Sequence, residues 1–66
     1  MQNIIKLQAA TLAARTRTGD KSIATSAESG LIRIERVSYD AKGNAVISPL
    51  SGNLSADKAI EFLNAL

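Results

Sequence analysis

Apolar positions along the chain follow two different periods. Near the C-terminal end, Ala59, Ile60, Phe62, Leu63 and Leu66 recur every three to four residues, which places them along one side of a helix. Ser55 stands where an N-cap belongs, and Asp57 complements the helix dipole in the first turn. The pattern predicts an amphipathic helix from about Ala56 to the end, with Asp57, Lys58, Glu61 and Asn64 toward water. Its apolar stripe is wide. It roofs a sheet or also meets a second copy of itself, so Ile60, Phe62, Leu63 and Leu66 are candidate oligomer or partner-interface residues.

The middle of the chain has a period of two. Leu31 to Val37 alternates around Ile32 and Ile34, and Ala45-Val46-Ile47 favours a strand until Pro49 stops the ladder. Between them, Asp40 suits the first position of a type I turn, and Gly43 supplies the left-handed residue that follows such a turn in hairpins. Apolar parity shifts between Ile34 and Val37, which predicts a bulge near Glu35-Arg36 or a strand with both faces partly covered. A further strand over Lys21 to Ala27 precedes a turn at Glu28-Ser29-Gly30. Together these segments form a three-stranded antiparallel meander.

Residues 3–18 fit both periods. Asn3 suits a cap, Lys6 to Ala14 is rich in good helix formers, Arg15 and Arg17 belong at a C-terminal end, and Gly19 suits the position just beyond it. Against this, Ile5, Leu7 and Ala9 alternate with Lys6 and Gln8 as in a strand. The helix is the preferred reading. The expected fold class is therefore α+β, in the order α-β-β-β-α, with a small β-barrel or sheet plus the C-terminal helix as the alternative.

Composition adds constraints. With 66 residues there is room for one domain, 1–66, and a domain of this size buries only about 60% of its unfolded surface. No Cys or His is present to form a disulfide or a structural zinc site, and Tyr39 and Phe62 are the only aromatics. Self-association is the remaining means of hiding more apolar surface, so a homodimer or larger homo-oligomer is expected. Met1 to Lys6 has no basic start followed by an apolar run, and no stretch approaches the ~20 apolar residues of a membrane span. These features predict cytoplasmic residence and no membrane partner.

Charge is uneven. Through Arg36 there are six basic and three acidic residues, a balance of +3, whereas the remainder is −1. Arg15, Arg17, Lys21, Arg33 and Arg36 are candidate ligands for nucleic acid or an anionic small molecule, set against the plainer reading of a solvated basic surface. The order α-β-β-β-α is similar to that of double-stranded-RNA-binding domains, and the similarity stops at topology. That family has a lysine-rich start to its second helix, whereas here the sequence reads Ser55-Ala56-Asp57-Lys58.

Catalytic chemistry is not indicated. Without His or Cys the commonest general base, nucleophile and metal ligands are missing, no serine lies in a Gly-x-Ser-x-Gly elbow, and no carboxylate pair has a diagnostic spacing. Ser51-Gly52-Asn53-Leu54-Ser55 leads into a helix N-terminus but lacks the signature of a phosphate-binding loop, so it reads as a turn and cap. No cofactor and no metal are expected. The function expected is that of a non-catalytic interaction protein with another protein as partner. Its size and plainness set it beside the accessory proteins of phages and other mobile elements, including inhibitors, an analogy that no motif carries.

Overall fold

A computed structural model describes residues 2–66, with side chains from Ile4 onward. Five elements follow in the order α1 (Gln2–Thr18), β1 (Ile23–Glu28), β2 (Leu31–Tyr39), β3 (Ala45–Pro49) and α2 (Ala56–Asn64). The fold is α+β, with helices at both ends of an open three-stranded antiparallel sheet. Residues 3–18 take the helical alternative. The side chain of Asn3, the expected cap, lies outside the described residues, and its backbone is already within α1. The helix ends with Gly19 at φ 73°, its N–H bonded to the Arg15 carbonyl at 2.9 Å.

Two tight turns set the sheet register. Ser29 and Gly30, at φ 54° and 79°, join the Glu28↔Leu31 pair. Both central residues are left-handed, the type I′ geometry that matches strand twist, and Ser29 adopts it without the freedom of glycine. The β2–β3 turn is the one predicted. Gly43 N–H bonds the Asp40 carbonyl at 3.0 Å, Gly43 has φ 82°, and Asp40 Oδ1 accepts from the N–H groups of Lys42 and Asn44. Pairing is unbroken on both sides of β2, from Ile23↔Arg36 to Glu28↔Leu31 and from Glu35↔Pro49 to Tyr39↔Ala45. There is thus no bulge at Glu35-Arg36. Val37 instead turns, half-buried, to the face opposite Ile34.

Both helices lie against the sheet face that carries Ile23, Ile32 and Ile34. The buried core consists of Leu7, Ala10, Ala14, Ile23, Ile34, Ala59 and Leu63, with Ile60 and Phe62 half-buried around it. Three of these are alanines, so α1 and α2 meet closely. Ser55 caps α2 by accepting from Lys58 N–H at 3.3 Å. Between β3 and α2 the chain stays on β2. Ser51 Oγ receives the Ile34 N–H at 3.0 Å, and Ile32 and Leu54 exchange backbone bonds of 2.7 Å. The hydroxyls of the Ser51–Ser55 loop thus serve the fold.

Among the described residues, no helix is long and apolar enough to cross a membrane.

Candidate functional site

Each of the four candidate arginines donates to an acceptor within the chain. Arg15 Nε bonds the Ile23 carbonyl at 2.6 Å, which fastens the end of α1 to the start of β1. Arg17 reaches the far end of α2, with Nε 2.8 Å from the Leu66 carbonyl and Nη2 2.7 Å from the Leu63 carbonyl. A cation there meets the last carbonyls of the helix, at the negative end of its dipole. Arg36 Nε bonds Asp20 Oδ2 and Arg33 Nε bonds Glu35 Oε1, both at 2.8 Å. Lys21 is exposed in the α1–β1 connection.

The five do not share a face. Thr25 pairs with Ile34 and Ile23 with Arg36, so Arg36 is on the helix side of the sheet, whereas Arg33 is on the opposite side with Glu35. Arg15, Lys21 and the Arg36–Asp20 pair gather near the α1–β1 connection. An open hollow of about 340 Å³ lies there between α1 and β1, lined by Gln8, Thr11, Leu12, Arg15, Ala24 and Thr25. A second of about 310 Å³ shares Leu12 and Arg15 with it and adds Thr16 and Lys21.

Asp20 is the most perturbed titrating group at this corner. The hydroxyl and N–H of Ser22 both bond its Oδ1, Arg36 bonds Oδ2, and together they lower its pKa from 3.8 to about 2. A carboxylate with a depressed folded-state pKa contributes stability that is fully present above its unfolded value and is lost as pH falls through the folded one. Wild-type protein is therefore expected to lose stability between about pH 4 and pH 2 faster than Asp20→Asn, read as urea midpoints across that interval. Equal slopes for the two proteins in this window would show that the ion pair and turn add nothing to folding.

The other face of the sheet has no helix over it. Its one buried polar side chain is Glu35, 5% exposed, which accepts from Arg33 Nε at 2.8 Å and Ser26 Oγ at 3.0 Å. Beyond it the β2–β3 hairpin runs out as an arm. The register places Tyr39 beside Ala45 and Val37 beside Ile47 on this open face, with Val46 and Ser48 behind them. All five residues of β3 are exposed. Tyr39 is 72%, Ile47 57% and Val46 45% exposed, so apolar side chains meet water on both faces of the arm.

The candidate interface on α2 is distributed differently. Leu63 is fully buried, Ile60 and Phe62 are half-buried against the core, and Leu66 is 37% exposed. Among the described residues, three further large apolar side chains, Ile4, Ile5 and Leu12, are exposed on α1. Sequence reading did not single out the arm, although a signal was present. Ala45-Val46-Ile47-Ser48-Pro49 has no charge at any position, whereas a strand with one wet face normally alternates apolar with polar residues.

Compared with protein-family models, with curated proteins and with solved structures, the chain finds no match in any of the three.

Proposed function

We propose that this domain is a non-catalytic interaction protein of the cytoplasm that self-associates and binds protein through apolar surface left in water by its own fold. The observation that carries this reading is β3, an uncharged strand exposed at all of its residues. An edge strand of this kind is a site for pairing with another chain unless something blunts it. Overall dimensions agree. A compact chain of 6.9 kDa has about 4,000 Å² of accessible surface, whereas this one has 4606 Å². Its radius of gyration is 11.9 Å, against about 10.8 Å for a compact domain of the same length.

A nucleic-acid or anionic-ligand role through the basic residues has less support. Arg15, Arg17, Arg33 and Arg36 each hold an internal acceptor, and Arg33 faces away from Arg36. Phosphate contacts require groups that converge on one surface. An accessory or inhibitory role is one form that binding by occupancy takes.

The test is native mass by light scattering on a size-exclusion column at low and high salt. Two or more protomers at both salts is the expected result, because apolar contact is little affected by screening of surface charge. A single protomer at both salts overturns the reading. Association that vanishes at high salt also counts against it and returns attention to the arginines.

A further inference from the structure

Resting on that reading, we infer that the partner of the arm is a second copy of this chain, with the two β3 strands paired antiparallel into one six-stranded sheet about a two-fold axis at Val46. The argument starts from the hydrogen-bond parity of the hairpin. Asp40 N–H bonds the Asn44 carbonyl at 3.0 Å, and Leu50 N–H bonds the Ile34 carbonyl at 2.8 Å. In an antiparallel ladder inward- and outward-directed residues alternate, so Val46 and Ser48 bond to β2 while Ala45, Ile47 and Pro49 point their backbone groups to the free edge. Pro49 has no N–H, which fits an outer edge and ends the run of donors there.

The free edge therefore presents two N–H groups per chain, those of Ala45 and Ile47. Setting Ala45 opposite the partner's Ile47 lets both residues exchange both backbone bonds, and the two-fold repeats the exchange, leaving no donor or acceptor of either residue unpaired. Side chains fit the same register. On the open face, Tyr39 and Ala45 of one copy continue into Ile47 and Val37 of the other, with the small alanine between larger neighbours. On the helix side the two Val46 side chains meet at the axis. Neither helix packs on β3, so none stands in the way of this approach.

The opposite edge of the sheet is a poorer template. Arg15 already occupies the Ile23 carbonyl on β1, and that strand ends in a charged residue, Glu28.

The chain has no cysteine, so single introduced thiols report the seam without interference. Directly opposed residues of a non-hydrogen-bonded pair are about 4.5 Å apart at Cα, within the range a disulfide spans. Val46→Cys is expected to form a covalent dimer under oxidised glutathione, with native mass equal to that of the untreated wild-type dimer. Leu12→Cys, on the exposed side of α1, is expected to remain uncrosslinked. Ile47→Lys is expected to run as a single protomer with an unchanged circular-dichroism spectrum. Crosslinking through Leu12→Cys, or a dimeric Ile47→Lys, overturns the β3 seam while leaving self-association intact. A wild-type monomer removes both.

Discussion

Replacing Ile34 by alanine is expected to unfold the domain or bring it close to unfolding. Ile34 lies at the centre of β2, is fully buried, and is among the three largest side chains that are completely enclosed. Truncating such a residue removes transfer free energy and leaves a cavity, together costing about 2–5 kcal/mol. A chain of this length has a total stability of roughly 3–10 kcal/mol, so the loss is a large share of it. The surroundings cannot easily collapse into the space. Ile34 also holds Leu50 and Ser51 through its carbonyl, at 2.8 and 3.1 Å, and Ser51 Oγ through its N–H. Urea unfolding followed by far-ultraviolet circular dichroism measures the effect. Ile5→Ala, on the exposed side of α1, is expected to stay within about 0.5 kcal/mol of wild type in the same assay.

Ala14→Leu is expected to be nearly as damaging, by the opposite route. Ala14 and Ala59 are fully buried and Ala10 is 7% exposed, so the helices meet through side chains of a single carbon. A leucine at this seam has no space and must push α1 away from α2, a strain of typically 1–3 kcal/mol. Separation of the helices would also stretch the two bonds from Arg17 to the Leu63 and Leu66 carbonyls. The neighbouring Ala13 is exposed, and Ala13→Leu on the same helix is expected to be almost neutral. Similar midpoints for the two variants would mean that the helices are not closely apposed.

Local chemistry made much of the architecture readable in advance. Ser55, Asp40 and Gly43 act within a few residues of themselves, and a cap or a turn follows from such residues wherever they stand. Residues 3–18 were ambiguous for a physical reason. Ile5 and Leu12 are apolar yet exposed, so burial in α1 follows Leu7, Ala10 and Ala14 while hydrophobicity alone shows no single face. The parity shift at Val37 fitted either a bulge or a strand covered in part on both faces, and pattern alone could not choose; the second holds, since Val37 and Glu35 shelter on the face opposite Ile34. The roles of the arginines were out of reach. Charge is visible in a sequence, but the acceptor for Arg17 lies 49 residues away and is a backbone carbonyl that any residue at that position would supply.

That long reach bears on how the domain forms. The meander closes through loops of a few residues and is expected to gather early, since short loops are cheap to close. The stripe of Leu7, Ala10 and Ala14 is fully covered only once α2 docks and brings Ala59 and Leu63 to it. Until then a folding chain displays its apolar helix face together with the bare β3 edge, and both invite contact with neighbouring chains. Arg17 reaching the α2 carbonyls marks the end of that interval, so a chain truncated ahead of residue 56 is expected to aggregate on refolding where the full chain does not.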